Sequence, residues 1–241
     1  TFLIFYLRDP RALDFIKNTS FPLVAKTNIG ASGRGIRFLK TKNEASDYLR
    51  LIFQSKKGIR RKSGPNMQKG NILKRGFNYV KYPRKISSKL ESYRRIKHEV
   101  QHGFVIFQEY VPHQYEWRCV RIVNSFFAHK KIVKGHMASG TLLKAYDDPP
   151  FKLLDLVKRI TDENQFYSQA IDIFESSSGE FLVNEMQCIF GQSNPYQMLL
   201  HGKPGRYVFT NGEWLFEEGD FAKNECYDLR VKHIYKQPIF F

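Results

Sequence analysis

Phe21-Pro-Leu-Val-Ala-Lys26 runs straight into Thr27-Asn-Ile-Gly30-Ala-Ser-Gly33-Arg-Gly35-Ile-Arg-Phe-Leu-Lys40. An apolar run ends on a lysine, a loop with glycines at 30, 33 and 35 follows, and a second apolar run leaves it. This reads as a β-hairpin whose tip lies close to phosphate. Glycine lets the backbone adopt positive φ and approach an anion, successive N–H groups form an anion-binding nest, and Lys26 adds a compact positive charge. The spacing excludes a P-loop and a dinucleotide-binding turn, since both open a helix. Here Ile36-Arg37-Phe38-Leu39 reads as strand.

A second hairpin lies near the other end of the chain. Ala170-Ile-Asp172-Ile-Phe174, a Ser-Ser-Ser-Gly turn and Glu180-Phe-Leu-Val-Asn-Glu185-Met-Gln187 form its arms. Glu185 and Gln187, two apart, share a face of the strand, and the short turn brings Asp172 beside them. Two carboxylates and an amide oxygen make a hard-oxygen site suited to Mg²⁺ that keeps water and takes further ligands from phosphate. The plainer alternative is a solvated hairpin face, but Ile171, Ile173, Leu182 and Val183 mark the strands as core elements.

Between the hairpins stands Gln108-Glu109-Tyr110-Val111-Pro112, followed by Glu116-Trp117-Arg118. A strand that stops at a proline turn offers main-chain groups to the edge of an adenine. Pro112 has no N–H, so Val111 is the natural donor and Glu109 the natural carbonyl. Glu116 is placed to accept from ribose hydroxyls. A strand ending at a proline turn also needs no ligand to explain it.

Taken in order, the lysine and glycine hairpin, the Gln-Glu-Tyr-Val strand end and the Asp…Glu-x-Gln hairpin resemble the ATP-grasp superfamily over about residues 10–200. The resemblance implies an α+β protein, with two α+β subdomains gripping ATP between antiparallel sheets. It implies that Lys26 contacts nucleotide phosphates and that Asn28, Gly30, Ser32, Gly33 and Gly35 fold over them. Glu109, Tyr110 and Val111 then hold adenine, and Glu116 holds ribose. Asp172, Glu185 and Gln187 bind Mg²⁺, or Mn²⁺ in its place; the family usually has Asn where this chain has Gln187. Arg118 resembles a residue facing phosphate or an acyl intermediate. Lys134, with Lys130, Lys131, His136 and Ser139, lies where related ligases meet substrate, and Lys26, Arg118 and Lys134 are the expected catalytic set.

The implied chemistry is carboxylate activation as an acyl phosphate, then attack by an amine. Ala138-Ser-Gly140 and Gly202-Lys-Pro-Gly-Arg206 resemble members found in bacterial surface-polysaccharide gene sets, which suggests a glycan precursor as acceptor. A kinase on the same scaffold is the alternative. Members usually carry an N-terminal substrate domain and a further lysine before the hairpin. This chain begins 25 residues before Lys26, so both are expected to be missing.

Composition fits a globular protein of 241 residues, with 42% hydrophobic and 26% charged residues. No apolar run reaches membrane-spanning length. Cys119, Cys188 and Cys226 are too few and too scattered for a disulfide framework or a zinc site, which suits a cytoplasmic protein. The net charge of +16 is local: residues 56–97 hold fifteen bases and the single acid Glu91, or +14. That segment reads as an insert, loop-like at first and helical over Ser87–Val100. Its plainer reading is a solvated segment. A basic module for an anionic polymer is the competing function, and nucleic acid is not the expected partner. The expected domains are residues 1–107, including the insert, and residues 108–241. Helices are expected over 9–18, 43–53 with an Asn43 cap, and 151–167; homo-oligomerisation is left open.

Overall fold

A computed structural model of the chain describes residues 2–6, 9–28, 35–53, 58–60, 81–82, 84–134, 137–138, 143–190, 196–221 and 226–236. The fold is α+β with antiparallel sheets, and the chain divides into two units, Thr1–Tyr110 and Val111–Phe241. Among the described residues no helix is long and apolar enough to cross a membrane.

The first unit holds β1 (Phe2–Tyr6), α1 (Arg11–Asn18), β2 (Leu23–Lys26), β3 (Ile36–Leu39), α2 (Lys42–Phe53), β4 (Ile59–Arg60), α3 (Arg84–Lys97), β5 (Val100–Gln101) and β6 (Phe104–Glu109). Its main sheet has the order β1-β6-β2-β3, and β4 pairs with β5. Alternation decides the two faces. Leu23, Ala25, Leu39, Val105 and Phe107 point to one side and form a core with Ala12 and Ile16 of α1 and Ala45, Tyr48, Leu49 and Ile52 of α2. The helical spacing of those α2 residues makes one apolar stripe. Thr41 caps this helix, not Asn43: Thr41 Oγ1 accepts from the Glu44 N–H at 3.2 Å, and Glu44 Oε2 accepts from the Lys40 N–H at 2.7 Å. The pattern is close to a capping box.

The second unit holds β7 (Tyr115–Ile122), β8 (Ser125–Lys134), β9 (Met137–Ala138), β10 (Lys144–Ala145), α4 (Phe151–Glu163), β11 (Ser168–Glu175), β12 (Phe181–Gln187), β13 (Leu199–Leu200), β14 (Lys203–Thr210), β15 (Glu213–Glu218) and α5 (Tyr227–Lys236). The sheet runs β12-β11-β7-β8-β14-β13, with β9 and β10 on β8 and β15 on β14. Leu153, Leu154 and Val157 of α4 join Trp117, Cys119, Ile171 and Ile173 in its core. The helix expected to reach Tyr167 ends at Glu163, because Gln165 turns to φ +55° and the Tyr167 carbonyl accepts from the Val123 N–H at 2.8 Å. Similarly, α3 starts and stops three residues before the expected span, and Val100 is strand.

Candidate active site

The row that organises the second unit is written in strand register. Glu185 of β12 lies opposite Asp172 of β11, Asp172 opposite Arg118 of β7, and Arg118 opposite His129 of β8. Directly opposed residues share a face. On the next row, Glu116 of β7 faces Lys131 of β8, which faces Lys144 of β10. Alternation therefore puts two acids and two bases on one side of three adjacent strands, with Glu185 at one margin and Lys144 at the other.

Asp172 is 2% exposed. Its carboxylate accepts from Arg118 through Nε at 2.5 Å and Nη2 at 2.7 Å, and from Lys131 Nζ at 2.7 Å. Lys131 Nζ also meets Glu116 Oε2 at 2.5 Å, and Asn184 Nδ2 donates to Glu116 Oε1 at 3.2 Å. Burial works to raise the Asp172 carboxyl, but the Arg118 hydrogen bonds and the Lys131 charge outweigh it and hold the group below its ordinary value. Burial likewise opposes the Arg118 charge, and Asp172 with Glu185 and Glu116 more than restores it. Lys144 has fewer compensations: burial, then the nearby Arg118 charge, bring it down to about 8.

Asn184 enters the site through a β-bulge. The β11–β12 register shifts between Asp172 and Ile173, so Glu185 pairs with Asp172 while Val183 pairs with Ile173, and Asn184 is left over. A bulge re-aims side chains that strict alternation would send to the other face. Strict alternation along β12 therefore does not select Asn184.

The structure separates the candidate lysines. Lys131 joins Asp172 and Glu116. Lys130 lies on the opposite face, paired with Asp147 at 2.7 Å and placed over the Tyr115 ring at 4.0 Å. The main chain of Lys134 closes β8 opposite Met137; its side chain lies outside the described residues, as do Gly30, Ser32, Gly33, His136 and Ser139. Lys131, Asn184 and Lys144 are the residues that motif spacing alone does not select. In the sequence, Lys131 stands out only as one of several lysines.

The other expected positions are divided between the units. Lys26 ends β2 opposite Ile36 and Ile106, and Thr27 closes the hairpin by donating to the Gly35 carbonyl at 2.9 Å. Lys26, Gln108, Phe38 and, by the same alternation, Tyr110 lie on the sheet face turned away from the α1–α2 core; Tyr110 meets Phe38 edge-on at 5.7 Å. Asn28 is held from behind, its N–H donating to buried Gln101 Oε1 at 2.8 Å. The Glu109 side chain belongs to the opposite face, at an open cleft shared with Asp14, Phe15, Asn18 and Ser20. Val111 begins the second unit, and its carbonyl meets His113 Nδ1 at 2.6 Å.

The oxygen donors for a metal are unequal. Three of about four acceptor positions on Asp172 are used, whereas Glu185 is exposed and receives the Gln187 amide at 2.6 Å. Among the described residues no group of three His, Cys, Asp or Glu gathers as a metal cluster. Two carboxylates and an amide nevertheless suit one Mg²⁺ that keeps most of its ligands as water or phosphate.

No protein-family model and no curated protein matches the chain. Solved structures similar to it include an ADP complex of N5-carboxyaminoimidazole ribonucleotide synthetase, at 15% identity and TM-score 0.48, covering 80% of this chain and 41% of that one. A RimK-domain ATP-grasp protein from Sphaerobacter thermophilus is similar at 14% identity and TM-score 0.42, covering 77% and 51%. The D-alanine–D-alanine ligase from Bacillus anthracis, complexed with ATP, is similar at 12% and 0.41, covering 78% and 46%. The chain thus spans about half or less of the length of each. These likenesses are distant, and the functional reading rests on the chain's own residues.

Proposed function

We propose that this chain is the nucleotide-handling part of an ATP- and Mg²⁺-dependent ligase that joins a carboxylate to an amine through an acyl phosphate. The observation that carries the reading is the Glu185–Asp172–Arg118 row with Lys131 and Glu116 beside it. Phosphoryl transfer asks a protein mainly for positioned charge. Arg118 is held rigidly by two bonds to Asp172 and keeps its remaining N–H groups for an anion. Glu185, with Gln187, is the accessible metal ligand and Asp172 the buried one. Bound Mg²⁺ would supply charge neutralisation on the transferred phosphoryl group.

In the first unit, Lys26 and the 27–35 loop are assigned to nucleotide phosphates, with Thr27, Asn28 and Gly35 as the described members of that loop. Tyr110 and Phe38 offer an aromatic surface for adenine on the face that carries Lys26. The main chain of Glu109 and Val111 is assigned to the adenine edge. Glu116, paired with Lys131, would meet ribose only by exchanging part of its present bonding. Lys134 stays a candidate for the carboxylate. The Gly202–Arg206 stretch that suggested a glycan acceptor serves the fold: Gly202 turns at φ +80°, and Arg206 bonds Glu217 and Ser125 at 2.8 Å each. A glycan precursor is therefore one acceptor among several to screen.

The test is thermal unfolding with a non-hydrolysable ATP analogue and Mg²⁺. At a hundredfold excess over Kd the midpoint should rise by about 5–10 °C. Lys26→Ala and Glu185→Gln should keep their own midpoints and lose most of that rise. An unshifted parent protein overturns the nucleotide reading. With ATP, a carboxylate and hydroxylamine, hydroxamate marks the ligase; a phosphorylated hydroxyl acceptor would mark the kinase instead.

A further inference from the structure

α3 carries a surface that the nucleotide chemistry does not use. Residues 84–97 hold six basic side chains and the single acid Glu91, a net charge of +5 in fourteen residues. Glu91 is already engaged, accepting from Arg95 Nη2 at 2.6 Å. The helix has no buried residue among those described: Ile86 is 40% exposed and Leu90 52%, with Tyr93 and Ile96 partly covered.

Helical spacing arranges these residues. At 3.6 residues per turn, Ile86, Leu90 and Tyr93 fall on one stripe, with Ile96 at its edge. Lys89 borders the stripe on one side, its ammonium 5.6 Å from the Tyr93 ring centroid, and exposed Arg94 borders it on the other. The Glu91–Arg95 pair lies round the back. The one acid is thus turned away from the apolar stripe.

We propose that α3 is a docking surface for an anionic phospholipid bilayer, lying in the plane of the headgroups. Charge complementarity selects the occupant: bases beside the stripe meet lipid phosphates while Ile86, Leu90 and the Tyr93 ring enter the acyl boundary. A nucleic acid would use the bases but leaves Ile86 and Leu90 without a partner, since phosphate and sugar contacts are polar. The helix extends about 21 Å, so it lies on the surface and does not span the bilayer. The proposal is independent of the ligase reading.

The experiment is co-sedimentation of the full chain with extruded vesicles of phosphatidylcholine alone, or with three-tenths phosphatidylglycerol. Binding is expected to the anionic vesicles only, weakened at 0.5 M salt. Ile86→Ser with Leu90→Ser should lower the anionic partition coefficient roughly tenfold or more, and Lys89→Glu with Arg94→Glu by a similar factor. All four positions are solvent-facing, and circular dichroism would confirm that α3 persists. No binding to anionic vesicles, equal binding to neutral ones, or an Ile86/Leu90 variant that binds as the parent does would each overturn the proposal. Tighter binding to duplex DNA or tRNA, unchanged by that variant, would overturn it in favour of a nucleic-acid surface.

Discussion

The β7–β8–β11 charge row and α3 are both rich in ionic side chains, and they handle charge in opposite ways. In the row, Arg118 and Lys131 are matched by Asp172 and Glu116 at 2.5–2.7 Å and largely withdrawn from water. In α3, the bases outnumber the acids six to one in the sequence, and Lys89, Arg94 and Arg95 are exposed. A buried pair restrains geometry and resists screening, but it is intolerant of losing one partner. An exposed excess stabilises almost nothing and acts instead at a distance, within a Debye length that salt shortens. The same residue types build a rigid site in one place and a salt-sensitive surface in the other.

The strongest way to break this contrast is to remove the shared acid. Asp172→Ala removes the buried carboxylate that Arg118 and Lys131 share, leaving Lys131 on Glu116 and Arg118 without its two-pronged partner, and should cost about 3–5 kcal/mol of unfolding free energy. Urea denaturation reads this directly, and a loss below about 1 kcal/mol would mean that water reaches the row.

The next largest effect is pH-dependent. His129 sits in the same row, buried, with Nδ1 on the Gln197 carbonyl at 2.8 Å. Burial, then the Lys144 charge, lower it from 6.5 to about 3. A lowered folded value means that the folded state binds the proton less readily than the unfolded chain. The contribution is therefore complete above pH 6.5 and is lost as pH falls towards 3, by up to about 1.4 kcal/mol per pH unit. Denaturation midpoints measured from pH 7 to 4 should show this slope, and His129→Gln should flatten it. Asp172, also lowered, adds its own loss only below the ordinary carboxylate value of 3.8.

A gentler probe keeps charge and changes shape. Arg118→Lys retains the positive charge but gives up the two-pronged contact, and should cost about 1.5 kcal/mol. If it proves neutral in thermal unfolding, simple charge balance and not geometry holds the row. The smallest effect belongs to α3. Glu91→Ala removes an exposed i,i+4 pair and should change stability by less than about 0.5 kcal/mol. It should slightly strengthen retention on a cation-exchange column.

Legibility from sequence follows periodicity and turn chemistry. The hairpins carrying Lys26 and Asp172 stand out because apolar runs are separated by glycine- or serine-rich turns. The β14–β15 hairpin is missing from the sequence expectations although its Asn211-Gly212 turn, at φ +53° and +88°, is a strong hairpin signal. Thr41 and Asn43 compete for the capping position because both residue types cap well, and only the hydrogen bond decides. In the candidate site, Asp172, Glu185 and Arg118 are legible as motif members. Asn184 depends on a bulge, and Lys144 on a pairing of two-residue β10 with β8, features that leave little pattern in one chain.

The sequence by itself determined an α+β chain, two hairpins with the residue types that phosphate and Mg²⁺ require, and a basic segment holding nearly all the excess charge. Those conclusions rest on local facts: alternation, turn residues and charge counts. Tertiary structure decided which acids meet which bases. It put Lys131 and not Lys130 on Asp172, and sent the Glu109 side chain to the face opposite Lys26. The physical reason is register. A shift of one residue between strands exchanges the two faces of a sheet, and register is set by packing between segments far apart in the chain.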